Sequence, residues 1–332
     1  GDWIIPSIES RITLQTYGLA GDLEFGSDLQ LFAASMLADS IVMRSVHATS
    51  GATLSASSLQ INGDARFDSD ASLGGAVTIA GAYSFGGNLT LRGAQIHFED
   101  GLDVAGDLEV INNSIVTLGE GTSLTVGGGD VRWSTPAQDL NFALDAANEI
   151  LLGARRINAP VEANKIRLGS GVTDLNADLF ADDAVLIAGA SVSIGAIGEI
   201  AERTIHADLT TTYSQAQAWD FDIAGSGARG EAASDTLTIT GDATIYGILR
   251  VHALGDPADF RAGDEFTLFD ASTIDALFRS ILLPSLADDL TFVLVIDPTT
   301  VRLVVVPGPG AAALLGVAAL AAGRRRSALA MS

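Results

Sequence analysis

A short phrase returns along the chain: glycine, aspartate, two variable residues, then an apolar one. It stands as GDLEF at 21–25, GDARF at 63–67, GDLEV at 106–110, GDVRW at 129–133 and GDATI at 241–245, with a looser copy, GGNLTL, at 86–91. The starts at 21 and 63 are 42 apart, those at 86 and 106 are 20 apart, and those at 106 and 129 are 23 apart. This drift predicts a period of 20–23. Glycine is expected to supply positive φ at a turn, and aspartate to bond its own backbone two residues on. Alternating apolar residues such as Leu23 and Phe25, Leu89 and Leu91, or Leu108 and Val110 then begin a strand. One coil of this size cannot bury its own apolar face, whereas stacked coils share a continuous core. The repeat therefore predicts an all-β fold, a parallel β-solenoid.

The pattern persists without the phrase through VLIAGASVSIGAIGEI at 185–200, where small residues suit tight corners. The best helical candidate, DAANEILLGARR at 145–156, carries Gly153 inside it, so long helices are not expected. From 231 the texture changes. SDTLTITGDATIYGILRVHAL at 234–254 reads as two strands around a Gly-Asp turn, and FRAGDEFTLFDAS at 260–272 as a third. TFVLVIDPTTVRLVVV at 291–306 reads as a hairpin turning at Asp297-Pro298-Thr299-Thr300. The division expected is solenoid repeats over 1–230, a capping β block over 231–306 that covers the open coil end, and a distinct tail over 307–332. The first strand, DWIIPSI, is uncapped, so further coils are expected upstream of Gly1.

Composition narrows the function. Eighteen Lys and Arg face 41 Asp and Glu, a net charge of −23, and lysine occurs once, as Lys165. Nucleic acid is excluded as a partner, because phosphate binding needs clustered cations. No cysteine is present, which removes disulfides, thiolate metal sites and a cysteine nucleophile.

The motifs that suggest chemistry are weak on inspection. GSGARG at 225–230 fits G-x-G-x-x-G, but a strand-like EAASDTLTIT follows where a dinucleotide site needs a helix, so a glycine-rich loop is expected. DLNAD at 174–178 opens like a calcium loop, yet Leu179 replaces the glycine at position six and Val185 the glutamate at position twelve. Asp174, Asp178, Asp182 and Asp183 are expected on the surface, as solvated charge or at most a weak Ca²⁺ ladder. His47, His97, His206 and His252 show no metal-ligand spacing. Paired carboxylates for glycoside chemistry cannot be picked out among 41 acids. No catalytic, metal or cofactor-binding residue is predicted.

The end of the chain, VVVPGPGAAALLGVAALAAGRRRSALAMS, raises a different question. As a helix, the apolar stretch 311–322 would span about 18 Å, short of the ~30 Å of a bilayer core. Residues 303–323 give 21 apolar or small positions, but Pro307 and Pro309 interrupt them. Such a segment is a poor permanent anchor and an adequate temporary one. Arg324, Arg325 and Arg326 would stay on the cytoplasmic side. A buried C-terminal helix fits poorly, since AAALLGVAALAA has no polar face.

The order Pro307-Gly308-Pro309, apolar helix, Arg324–Arg326 resembles the PEP-CTERM sorting signal of Gram-negative bacteria, with Gly308 where that family usually has glutamate. The resemblance covers the stretch from Pro307 to Ser332. It implies export by the general secretory route, transient retention in the inner membrane, and processing by an exosortase on the way to the envelope, cell surface or exopolysaccharide layer. Residues 234–306 resemble the C-terminal block of autotransporter-associated β-strand repeat proteins, and the upstream coils resemble filamentous-haemagglutinin solenoids. These resemblances imply a right-handed parallel β-helix and no catalytic residue. Removal of 307–332 would leave 15 basic and 41 acidic residues, a formal charge of −26.

The expectation is an exported structural or adhesin-like surface protein. Its acidic face would meet anionic exopolysaccharide through divalent cations. The rival class is a β-helical polysaccharide lyase or hydrolase, against which only three Trp, four Tyr and few basic residues stand.

Overall fold

The computed structural model describes residues 3–308, apart from 6–9, 14–16, 19–21, 33, 170–173, 197, 213–216, 230–231 and 288. The described chain is all-β and built on a long run of parallel strand pairings, an arrangement consistent with a β-solenoid. The pairing repeats turn on turn. Met36 pairs with Leu54, Leu54 with Leu73, Leu73 with Leu91, and Leu91 with Val110. Two further ladders run beside this one. Leu23, Ile41, Leu59, Val77, Ile96 and Val116 form the second. Leu102, Leu124, Leu144, Val161, Leu179, Ile205 and Ile239 belong to the third. A regular turn thus contributes three strand segments. The period expected from the Gly-Asp phrase is too long for the regular turns, in which Leu54, Leu73 and Leu91 already occupy successive rungs.

Alternation decides which residues face inward. Strand Ala52–Ile61 buries Ala52, Leu54, Ala56, Leu59 and Ile61 and turns the residues between them outward. Stacking in register puts like upon like, so the core is a set of columns. Phe67 and Phe85 lie parallel with centroids 5.3 Å apart, and Phe98 meets Phe85 edge-on at 6.2 Å. Later in the stack Trp219 and Phe221 both pack edge-on against Phe269, at 5.2 and 4.8 Å. The helical candidate at 145–156 is instead strand Ala143–Leu152, with Leu144, Ala146, Ile150 and Leu152 inward. Its alternation is offset by a register shift between Ala146 and Glu149, which blurs the period-two signal in the sequence.

The Gly-Asp phrase has a different physical basis from the one its sequence suggests. Gly63, Gly106, Gly129 and Gly241 are not in the left-handed region. Their aspartates bond across the stack rather than along the chain. The Asp70 side chain accepts the Asn88 N–H at 3.0 Å, Asn88 that of Asp107 at 2.6 Å, Asp107 that of Asp130 at 2.9 Å, and Asp130 that of Glu149 at 3.2 Å. Asp70, Asn88 and Asp107 pass beneath Gly87, Gly106 and Gly129, the residues just before the N–H groups they accept, one turn on. A Cβ on Gly87, Gly106 or Gly129 would overlap that side chain and its backbone, so only glycine fits. Asp64 and Asp208 do the same beneath Gly81 and Gly241, accepting the N–H of Ala82 and Asp242 at 3.0 and 2.8 Å.

After a short antiparallel pairing of 233–234 with 223–224, the parallel stack runs through 236–282. Residues 236–254 form one continuous strand, Thr236–Leu254, rather than two around a turn, and it pairs in parallel with Glu265–Leu282. Antiparallel pairing then takes over. Strands Leu290–Ile296 and Thr300–Pro307 form the expected hairpin, closed by the Asp297 N–H to Thr300 O at 2.8 Å. Its second strand pairs with 265–270, burying Val301, Leu303 and Val305. The expected C-terminal helix lies outside the described residues. No helix among the described residues is long and apolar enough to cross a membrane.

Candidate functional site

The stack brings sequence-distant polar residues together on its outward faces. His47 and Arg66 are register partners, and both bond Asp68, at 2.7 and 2.6 Å. Those two hydrogen bonds hold the Asp68 carboxyl below the usual aspartate range. His97 lies between Thr117 Oγ1 and Glu99, each at 2.9 Å. His206 stacks on Phe180, its register partner, with centroids 4.3 Å apart. The four histidines are therefore separate strand-face residues, three held by carboxylates and one by an aromatic ring.

The densest cluster joins three turns. Arg250 Nη2 donates to Asp220 Oδ2 at 2.7 Å and to the Ser191 hydroxyl; Ser191 donates to Asp220 at 3.2 Å, and His252 Nε2 meets Asp220 Oδ1 at 3.2 Å. The composition suggests a hydrolytic triad, but the wiring does not. A serine nucleophile needs the imidazole as its base, whereas this hydroxyl faces the arginine and the carboxylate. The arrangement ties three strands together, and no imidazole is placed as base for the Ser191 hydroxyl.

The four aspartates at 174–183, expected on the surface, do not stand together, and Asp174 is not at the surface. Asp174 is buried and paired with Arg156 at 2.6 Å, and Asp178 accepts the Thr204 N–H at 2.8 Å. Asp182 and Asp183 point outward from strand Leu179–Ile187. Among the described residues no three His, Asp or Glu side chains are grouped to hold a metal. In the GSGARG segment, Gly225 and Gly227 pack against the backbone of Asp259, where a Cβ would not fit. A single turn, Ser226–Arg229, follows the strand, and the Ser226 N–H is held by Asp264 at 3.1 Å. The segment is a packed connection, not the opening of a long helix.

Two buried carboxylates clasp the 198–201 loop. Asp235 accepts the N–H groups of Ala201 at 2.7 Å and Asp222 at 2.6 Å, and Asp222 accepts that of Gly198 at 2.5 Å. Both are almost fully buried. Burial pushes the Asp235 carboxyl up to about 7, with the neighbouring Asp222 charge adding to the rise and the two N–H donors opposing it. No sequence signal marked this pair, because 13 residues separate its members and neither lies in a motif.

One break in the regular stacking forms a notch. Strand Ile115–Leu118 pairs with 95–98 on one side. On the other side the next turn places 138–140, which bonds the turn beyond through the Arg155 N–H to Gln138 O, the Leu140 N–H to Arg156 O and the Asn158 N–H to Leu140 O, each at 2.8 Å, but makes no backbone ladder with 115–118. Residues 135–140 loop away and rejoin the stack at Leu140, which bridges to Ile157. The Gln138 amide takes the missing place in part, its Nε2 donating to Val116 O at 2.5 Å and its Oε1 facing Val116 N at 3.4 Å. A cavity of about 590 Å³ remains, lined by Ile115, Leu118, Glu120, Thr135, Gln138 and Phe142 among others. Below it the corner is set by Asn112 and Asn113, both left-handed at φ 57° and 58°, and by the buried Ser114, whose hydroxyl lies 2.6 Å from Ile111 O.

Of the residues expected to form a sorting signal, Pro307 ends the last strand opposite Leu290, and the Gly308 N–H bonds Asp289 O at 2.6 Å. Pro309, Arg324, Arg325 and Arg326 lie outside the described residues. No protein-family model matches the chain, and no curated protein matches it.

Proposed function

We propose that the chain is an exported structural or adhesin-like surface protein, a right-handed parallel β-solenoid addressed by the tail from Pro307 to Ser332. The observation that carries this reading is the order Pro307-Gly308-Pro309, apolar 311–322, Arg324–Arg326. It begins at Pro307, the last residue of the last paired strand, and the Gly308 N–H still bonds Asp289 O, so a processing enzyme of the exosortase type would have to release the end of that strand to act at 307–308. The apolar stretch would be held in the inner membrane for a time and then released. The acidic body, −26 without the tail, would meet anionic exopolysaccharide through divalent cations. The intact mass of the protein recovered from its native envelope tests the reading. A C-terminus between 307 and 310 supports it, and one still ending in Met331-Ser332 overturns the processing step.

The rival reading, a glycan lyase or hydrolase, predicts chain cleavage of acidic or neutral polysaccharides by the purified body. Such cleavage, abolished by substitution within the Ser191–Asp220–Arg250–His252 cluster, would replace the structural reading.

A further inference from the structure

We propose that the outward face of the terminal hairpin, strands Leu290–Ile296 and Thr300–Pro307, is a docking site for the chain's own tail. The tail lies there as a helix over 311–326, its apolar stretch on valines and its arginines at an acidic end. The proposal stands apart from the sorting reading, because an unprocessed tail docks equally well.

Strand pairing fixes which side chains face outward. Val301, Leu303 and Val305 are buried in the core. Arg302, Val304 and Val306 therefore turn outward, opposite Val295, Val293 and Thr291. Four valines thus form an apolar patch, with Val293 42% exposed. Other outward faces of the stack are polar. Strand Ala52–Ile61 turns out Thr53, Ser55, Ser58 and Gln60, and Val161–Leu168 turns out Glu162, Asn164, Lys165 and Arg167. An apolar patch against such a background marks a contact surface.

The other end of the same face is acidic. Asp270 is exposed opposite Thr300, at the turn of the hairpin. Asp297, its side chain 43% exposed, meets Arg302 at 3.2 Å, and Glu265 meets Arg302 at 2.9 Å. Three carboxylates thus stand around one arginine among the described residues of this face.

The tail matches this face in position, length and charge order. Gly308, whose N–H bonds Asp289 O at 2.6 Å, lies at the valine end. Pro309 and Gly310 then leave a two-residue connection, within the two to six usual between a strand and a helix. Such a tether holds the tail at an effective concentration of about millimolar. Strand Thr300–Pro307 is about 23 Å long, and a helix over 311–326 about 24 Å. Running back along the strand, the helix sets 311–322 over the valines and Arg324, Arg325 and Arg326 beside Asp270 and Asp297. Leu314, Val317 and Leu320 recur at spacings of three and share one side of that helix. The opposite side is alanine and glycine apart from Leu315, so a half-covered helix turns its small residues to water. A second copy of the chain brings no such match of length and charge order.

The test uses the full chain without detergent. It contains no cysteine, so an engineered pair reports proximity directly. Val304→Cys with Val317→Cys should close a disulfide within one chain under mild oxidation at micromolar protein, read by intact mass. Val306→Cys with Leu314→Cys, nearer the connection, is a second such pair. Thr53→Cys with Val317→Cys, on a distant outward face, should stay reduced. Replacing Arg324, Arg325 and Arg326 together by glutamine should slow closure roughly three- to tenfold at low salt and much less at high salt. Circular dichroism checks that each variant keeps its fold. Failure of both hairpin pairs to close, equal closure from Thr53→Cys, or closure indifferent to the arginines and to salt overturns the proposal. So does a covalent dimer as the main product, which would put a second copy on the face.

Discussion

The Asp107 carboxylate accepts the backbone N–H of Asp130 at 2.9 Å, across one turn of the stack. To reach it, the side chain passes under Gly129, where an added Cβ would lie 2.7 Å from Asp107 N and from Gly106 C. Glycine and aspartate are thus halves of one contact made between turns, Gly129 making room for the Asp107 of the turn before. Asn88 fills the same position one turn earlier with the same bond.

Gly129→Ala should therefore destabilise the stack by roughly 1–3 kcal/mol through overpacking. Asp107→Ala should cost about 1–2 kcal/mol, through loss of the bond and an unpaired N–H. Asp107→Asn should be nearly silent. Because part of the Gly129→Ala clash is with the Asp107 side chain, the two alanine changes together should cost less than their sum. Urea-unfolding midpoints of the four variants check this, and strict additivity would disprove the contact.

The same contact explains how much of the fold was legible. The Gly-Asp phrase marked the starts of strands at 63, 106 and 129, but these enter different ladders, and at 241 it lies within a continuous strand. Gly63-Asp64 enters Ala65–Phe67, on the ladder that continues through Leu102–Val104, whereas Gly106-Asp107 and Gly129-Asp130 enter Leu108–Ile111 and Val131–Trp133 on another. Distances between phrases therefore mix corners, and the shorter turn that brings Leu54 to Leu73 and Leu73 to Leu91 was hidden. The strands and the last hairpin could be read because alternation and the Asp297-Pro298 turn are local signals. The Asp222–Asp235 clasp, the Ser191–Asp220–Arg250–His252 cluster and the notch could not, since each is made by register between turns.

The Asp235 carboxyl should tilt the pH dependence of stability. Its folded-state value of about 7 lies above the ordinary 3.8, so between those values the folded chain holds a proton that the unfolded chain has released. The contribution is complete below about pH 4 and declines as pH rises toward 7. It amounts to roughly 2–4 kcal/mol. Asp235→Asn removes the titration, so the variant's stability relative to the parent should improve from pH 5 to pH 8. Asp139 acts in the opposite sense. The Arg155 hydrogen bond lowers its carboxyl, a contribution present above about 3.8 and lost on acidification. Denaturant midpoints at pH 3, 5 and 8 separate the two. A parent-to-Asp235→Asn difference that does not vary between pH 5 and 8 would refute the assignment.

Thr135→Val should leave the free protein as stable or more stable, by up to about 1 kcal/mol. The change keeps the branched shape and removes a buried hydroxyl that has no partner. At Ser114 the sign reverses. Its hydroxyl also accepts the Ala94 N–H at 3.1 Å and lies 2.9 Å from Leu91 O, so Ser114→Ala should cost roughly 1–3 kcal/mol. Thermal midpoints of the two variants decide it, and a Thr135→Val loss as large as that of Ser114→Ala would show that the hydroxyl is already bonded in the free chain.

The final strand closes the apolar end of the stack. Val301, Leu303 and Val305 are each at most 1% exposed and cover Phe266 and Phe269, which are themselves fully buried. The strand also occupies the edge of 265–270 and pairs with all of Leu290–Ile296. A chain ending at Asp297 loses three buried side chains, each contributing about 1.5–3 kcal/mol, and presents an unpaired edge beside exposed phenylalanines. It should unfold at much lower temperature and aggregate. A chain ending at Gly308 keeps every one of these pairings, including the Gly308 N–H to Asp289 O, and should match the thermal midpoint of the full chain in detergent. Light scattering and calorimetry on the two truncations test the assignment of the cap to 290–308. Equal stability of the two would place it elsewhere.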